Sequence, residues 1–346
     1  YMADTDGWRS YFGFEQPYDN QRNAIETAID VGEQGGYLAM EGPCGTGKTM
    51  AALTAGATLV REGEYERIVV VTPVKQQRAQ FVEDLRTMNA GLDDPLAGIA
   101  LVGKRDLCPY GREGVFPDSV GTHDRCEDLR ENTASLVESE GGDDRAVASA
   151  AEDTAVDPGE DDDIWWDPQR ASDLVKEARR DAETYRTLDS ALETAGAESP
   201  YPRSQPQAPE SMVGGDDPPL FCPFEADWFA RNKGSPVDFS AGEHSVVTAD
   251  DYLPAATERG TCPHRVMSVL LENADVVVGN YNHLFDPGTR PLVASILDSR
   301  TFLVVDEAHR LEERVRDLLS DRVGRDTLVR ARNDCATLVT RARETD

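Results

Sequence analysis

Short apolar runs alternate with amphipathic stretches at both ends of the chain, and the alternation breaks down in the middle. Tyr37 to Met40 is the first run; it leads into a glycine-rich loop and then into helical periodicity through Leu53, Ala57 and Val60. Ile68-Val69-Val70-Val71 is the second, closed by Thr72-Pro73 and followed by a helical pattern from Lys75 to about Met88. Ile99 to Val102 is the third, and Ala274 to Asn280 and Thr301 to Asp306 complete the set. Apolar runs of strand length separated by helical periods predict an α/β fold, with a parallel sheet covered on both faces.

The middle of the chain has another texture. Glu138 to Asp163 is rich in Glu, Asp, Gly and Ala, and Ser199 to Pro219 is crowded with proline, so both are expected to be solvated or disordered. Between them, Leu174, Ala178, Tyr185, Leu188 and Leu192 recur at helical spacing within Pro168 to Ala195, which predicts a surface helix. The sheet is therefore expected to be interrupted by a long inserted domain. Leu311 to Ala342, with many Arg and Asp, also reads as helix.

With 346 residues, 39% of them hydrophobic, the chain can bury a sizeable core. Sixty-five acidic against 35 basic residues give a net charge of −30, which ordinarily argues against a nucleic-acid partner. The acids are spread along the chain, however, and only five of the basic residues are lysines, a surface chemistry that resembles that of extreme halophiles such as halophilic archaea. At about 1 M salt the Debye length is roughly 3 Å, so the charge does not decide the partner. No apolar run reaches membrane-spanning length and no signal-peptide pattern opens the chain, so a cytoplasmic protein without a membrane partner is expected. Six cysteines then read as metal ligands or buried thiols rather than disulfides. The chain opens on Tyr1 ahead of Met2, which fits a part of something longer.

The chemistry centres on two motifs. Gly42-Pro43-Cys44-Gly45-Thr46-Gly47-Lys48-Thr49 matches G-x-x-x-x-G-K-[ST] between an expected strand and an expected helix. Its glycines let backbone N–H groups close around phosphate oxygens, Lys48 reaches the β- and γ-phosphates, and Thr49 ligates Mg²⁺, so the expected ligands are ATP and Mg²⁺. Asp306-Glu307-Ala308-His309 follows four apolar residues that carry Asp306 to the carboxyl end of a buried strand. Asp306 would hold Mg²⁺, Glu307 would act as general base on the attacking water, and His309 would couple the site to neighbouring elements.

Together these motifs resemble superfamily 2 helicases of the DEAH type, and the residues between them resemble the XPD/DinG branch of iron–sulfur DNA helicases. Ala274-Asp275-Val276-Val277-Val278-Gly279-Asn280-Tyr281-Asn282-His283-Leu284 is similar to a segment characteristic of that branch. Phe14 and Pro17-Tyr18-Asp19-Asn20-Gln21 fall where the family reads adenine, which implies a base contact for Gln21; Thr72 to Gln80 looks like the segment that touches the DNA backbone. The resemblance implies a RecA-like P-loop domain in two parts, residues 1–105 and 266–310. Between them it implies an inserted iron–sulfur domain at 106–265, with an acidic insertion near 130–215, and after them the start of a helical Arch domain at 311–346. The remaining helicase motifs, with the arginine finger, belong to a second RecA-like motor domain, supplied in cis by a longer chain or in trans.

In that family four cysteines of the insertion hold a [4Fe–4S] cluster, and the resemblance places Cys108, Cys126, Cys222 and Cys262 in that role. Thiolates suit such clusters, and three of the four stand in Cys-Pro pairs, but no C-x-x-C occurs. Spacing alone also admits zinc, with His123 or His264 replacing one thiolate. Cys44 and Cys335 are read as small residues tolerated where they stand. Lys104, Arg105, Arg112 and Arg125 are basic residues near the cysteines that suit either phosphate contact or plain solvation. Two functions are thus expected: an ATP-dependent DNA helicase with 5′-to-3′ polarity, acting on single-stranded or forked DNA in repair or replication, or a nucleotide-binding regulatory protein that keeps only the ATP-binding half.

Overall fold

The computed structural model describes residues 7–43, 45–116, 121–138, 166–188, 199–201 and 220–320, together with residues 328, 329, 332 and 335. The sheet contains β1 (Arg67–Thr72), β2 (Gly98–Ala100), β3 (Val246–Val247), β4 (Val276–Asn280) and β5 (Thr301–Val305). These run in the order β3-β2-β4-β1-β5, every neighbouring pair parallel. Helices α1 (Asp19–Glu33), α2 (Lys48–Arg61), α3 (Lys75–Asn89), α4 (Lys104–Leu107), α5 (Pro109–Arg112), α6 (Thr122–Val137) and α7 (Pro168–Leu188) come from the first half of the described chain. The second half adds α8 (Pro223–Ala230), α9 (Ala249–Arg259), α10 (Pro263–Glu272), α11 (Tyr281–Phe285), α12 (Pro291–Ala294) and α13 (Leu311–Leu318).

Alternation along the central strands divides the apolar residues between two cores. Ile68 and Val70 of β1, with Val276 and Val278 of β4, face a core closed by Ile25, Met50, Leu53, Phe81 and Leu85 from α1, α2 and α3. Val69, Val71 and Val277 face the opposite core, closed by Tyr252, Ala256, Val266, Met267, Leu270 and Tyr281 from α9, α10 and α11. A strand buried on both faces needs the continuous β-branched run that β1 and β4 supply, and each such side chain contributes about 1.5–3 kcal/mol of transfer free energy. Gly56 brings α2 close to the sheet: a Cβ there would lie 2.9 Å from the Ile68 side chain and 3.0 Å from that of Phe302.

A third core lies apart from the sheet. Tyr110, Leu136 and Val137 pack with Ala171, Leu174, Val175 and Ala178 of α7 and with Phe221, Phe224, Trp228 and Phe229 around α8. The α7 stripe is buried against this core while Lys176, Arg179 and Arg180 on its other face are exposed, the arrangement of an amphipathic surface helix. Tyr185 and Leu188 lie where only the helix backbone is described, and Leu192 lies outside the described residues.

Three further expectations are corrected or bounded. Tyr37 to Met40 forms no strand: Tyr37 is fully exposed, and no described strand pairs with this segment. Apolarity alone does not make a strand, because its N–H and C=O groups need a ladder partner. β5 stands at the sheet edge with Leu303 46% exposed, its outer side unpaired among the described residues. The main sheet also reaches into the 106–265 stretch: β3 pairs with β2, and Val237 to Leu271 contribute to the sheet's own core, leaving the third core to residues up to Ala230 together with Cys262. Of the helix expected over Leu311 to Ala342, α13 is described; the acidic and proline-rich stretches lie almost wholly outside the described residues.

Candidate nucleotide site and four-cysteine site

The glycine loop precedes α2 in the left-handed turn its motif predicts. Gly45 and Gly47 have φ of 79° and 77°, and a Cβ on Gly47 would lie 2.3 Å from Gln21 Nε2. Only glycine satisfies both conditions at Gly47. Lys48 folds back, its Nζ donating to the carbonyl oxygens of Gly42 at 2.7 Å and Pro43 at 3.0 Å. Thr46 Oγ1 donates to Pro43 O at 2.9 Å, and Thr49 is half-buried in the first turn of α2. Cys44 lies outside the described residues.

Asp306 and Glu307 follow β5, where Asp306 N donates to Val71 O at 3.0 Å and extends the ladder by one rung. Burial, and then the adjacent Glu307 carboxylate, push the Asp306 carboxyl above its usual range; Lys48 and His309 act against them. Lys48 thus lies within electrostatic reach of Asp306, which brings the two motifs to one site. Glu307 adopts φ of 52°, and both its carboxylate oxygens are occupied: Oε1 accepts from Gln77 Nε2 at 3.0 Å, and Oε2 lies 3.3 Å from His309 Nδ1. Tyr281 OH donates to the Asp306 carbonyl oxygen, tying α11 to the same turn.

Gln21 is buried, and its Nε2 donates to Gly47 O at 3.0 Å while its Oε1 accepts from Tyr18 N at 3.3 Å. Phe14 packs edge-on against Phe12 and lines a cavity with Thr87, Met88 and Gly91 around the C-terminal end of α3. Gln77 and Tyr281 escaped the motif-based reading as nucleotide-site residues, although each lay in a segment singled out on other grounds.

The second site is built on the third core. Cys108, Cys222 and Cys262 are the N-caps of α5, α8 and α10, each followed by proline at the first helical position, and Cys126 lies one turn into α6. All four are partly buried, and every pair lies within electrostatic reach. Burial pushes the Cys108 thiol to about 11 and those of Cys126 and Cys262 to about 12, and raises Cys222 well above the usual thiol range. Four such sulfurs carry thiolate charge only against a compensating cation.

Fixed charges surround them. Glu225 is 1% exposed; its Oε1 accepts from Arg265 Nε at 2.8 Å and lies 3.4 Å from Arg130 Nε, while its Oε2 is buried without a hydrogen-bond partner. Burial raises the Glu225 carboxyl, but Arg265 and Arg130 outweigh it and leave the group below its usual range. Lys104 pairs with Glu127, Arg112 donates to Asp106 O and Arg125 lies 3.9 Å from Asp128; of the four basic residues noted near the cysteines, Arg105 and Arg112 are exposed. Burial, then Lys104 and Arg130, keep the His264 imidazole neutral. Among the described residues no group of three or more His, Cys, Asp or Glu side chains could hold a single metal ion as it stands. Cys335 is exposed.

Parallel strands that deliver an acidic pair to the edge where a glycine loop opens a helix define a RecA-like α/β nucleotide-binding domain. The chain belongs to the DEAD_2 family, whose model matches residues 72–328. Residues 15–106 also match the family described as type III restriction enzyme, res subunit. Among curated proteins, the general transcription and DNA repair factor IIH helicase subunit XPD of Arabidopsis thaliana is 31% identical over 83 residues, 24% of this chain and 11% of that protein. The regulator of telomere elongation helicase 1 homolog of Oryza sativa subsp. japonica is 32% identical over 71 residues, 20% of this chain and 7% of that protein. The matches therefore span small parts of much longer relatives. No described helix is long and apolar enough to cross a membrane.

Proposed function

We propose that this chain is the ATP-binding motor half of an iron–sulfur DNA helicase. The observation that carries the proposal is the left-handed glycine loop at the start of α2, where Lys48 Nζ rests on the Gly42 and Pro43 carbonyls, together with the acidic pair that follows β5. Lys48 exchanges the Gly42 and Pro43 carbonyls for the β- and γ-phosphate oxygens of ATP, Thr49 and Asp306 hold Mg²⁺, and Glu307 takes a proton from the attacking water. Residues 42–49 form the phosphate cradle. Single-stranded or forked DNA is the substrate, moved with 5′-to-3′ polarity in repair or replication, and a second RecA-like domain completes the ATP site.

Cys108, Cys126, Cys222 and Cys262 hold a [4Fe–4S] cluster in this reading. Four thiolates suit such a cluster, which gives each of them its own iron. When bound, the cluster supplies a covalent cross-link that ties α5, α6, α8 and α10 together. Supplied with the second motor domain in multi-molar KCl, the chain should hydrolyse ATP in response to DNA and unwind a forked duplex. Alone it should turn over very slowly, since an arginine finger is worth about 10³–10⁵ in rate. Full-rate hydrolysis by the chain alone, or no response to DNA with both domains present, defeats the proposal.

A further inference from the structure

We propose that Gln77 is a further catalytic residue of the nucleotide site, one that fixes Glu307 and supplies a second acceptor for the attacking water. The inference rests on the nucleotide-site reading above and adds to it. Gln77 stands in the first turn of α3, five residues past the end of β1, and β1 runs beside β5. Adjacent parallel strands end at the same sheet edge, so the turn after one faces the turn after the other. That topology brings Gln77 to Glu307 across 230 positions of sequence, with Nε2 3.0 Å from Oε1.

The amide is only half used. Its nitrogen donates to the base, while its oxygen, Oε1, is buried and has no hydrogen-bond partner. A buried acceptor without a donor is costly, and such atoms in folded proteins are met by a ligand or by water. Beside a general base, the donor in question is the water that base activates. A water molecule has two protons, and attack in line with a breaking bond requires both to be directed. With Glu307 taking one and Gln77 Oε1 holding the other, the oxygen lone pair is left facing the phosphorus. In the step so arranged, the water oxygen bonds to the γ-phosphorus as the bond from that phosphorus to the β–γ bridging oxygen breaks. One proton passes to Glu307, and the nucleoside diphosphate leaves with the bridging oxygen. Gln77 donates to Glu307 throughout, which limits the carboxylate's rotation while its other oxygen remains near His309.

The test compares wild type with Gln77→Ala and Gln77→Met, the second of which keeps the side-chain volume and loses both hydrogen-bonding atoms. Affinities for Mg·ADP and for Mg·ADP with aluminium fluoride, which holds a water in line, are measured by calorimetry. With the second motor domain added, kcat and KM are measured as well. Both variants should bind ADP like wild type, bind the aluminium fluoride complex at least tenfold more weakly, and lose kcat at unchanged KM. A purely structural role would weaken ADP and the analogue together, or would be rescued by Gln77→Met, and either result overturns the proposal. Equal analogue affinity in wild type and both variants overturns it too. If wild type binds no nucleotide, the site reading itself falls, and this inference with it.

Discussion

Gln21 donates its side-chain amide to the carbonyl oxygen of Gly47 across 3.0 Å, so the first turn of α1 braces the phosphate loop directly. The family resemblance suggested a base contact for this residue, and the observed bond makes it a loop strut as well. Gln21→Ala removes one hydrogen bond of about 1 kcal/mol, so affinity for Mg·ATP should fall roughly fivefold. Calorimetric titration checks it; unchanged affinity would show that the loop holds its shape unaided.

Mg·ATP should raise the melting temperature of the wild-type chain, and Lys48→Ala should remove that shift. At a hundredfold excess over Kd the linkage is about 2.7 kcal/mol. Scanning fluorimetry with and without nucleotide measures it, and equal shifts in both proteins would contradict the assignment of Lys48.

Anaerobically purified protein should show broad visible absorption, and serine at any one of Cys108, Cys126, Cys222 or Cys262 should bleach it, because four thiolates on one cluster act as a unit. Cys335→Ser should keep full colour. Stoichiometric zinc in colourless wild-type protein would decide for the mononuclear alternative.

Glu225→Gln should destabilise the third core by about 3–5 kcal/mol near neutral pH, because Arg130 and Arg265 lose their shared counter-charge in a buried setting. The folded-state pKa of Glu225 lies below its ordinary value, so its contribution is full above the unfolded carboxylate pKa of about 4.3 and is lost as pH falls through the lower folded value. Wild type and variant should therefore converge in strongly acidic solution. Urea titrations at pH 7 and at successively lower pH test this; a constant gap across the series would rule out the charge as its source.

Much of the sheet could be read in the chain. The β-branched runs of β1 and β4 announce strands because a strand buried on both faces leaves no polar position in its pattern; β5 carries a similar run at the sheet edge, and the glycine motif fixes its own left-handed turns. β3 could not be read: two valines carry no periodicity, and only pairing with Gly98 and Ile99 makes them a strand. Tyr37 to Met40 failed in the opposite sense, an apolar run without a ladder to join. The α7 stripe was visible, but its partner, the aromatic row from Phe221 to Phe229, lies across a proline-rich stretch that reveals nothing about which face is covered. Gln77 was in plain sight within a segment assigned to another task; its meeting with Glu307 follows from strand order, which single-sequence periodicity does not encode.

The open side of β5 also bears on how copies of this chain behave towards each other. An edge that is unpaired among the described residues offers backbone donors and acceptors at the 4.7–4.9 Å spacing on which another strand assembles, and Leu303 adds an apolar handle to it. In dilute buffer a molecule of charge −30 is kept from its neighbours over a screening length of about 10 Å, longer than that contact; in brine the length is about 3 Å and the protection is gone. Raising salt thus removes the charge barrier to edge-to-edge self-assembly, and association through β5 should increase with ionic strength.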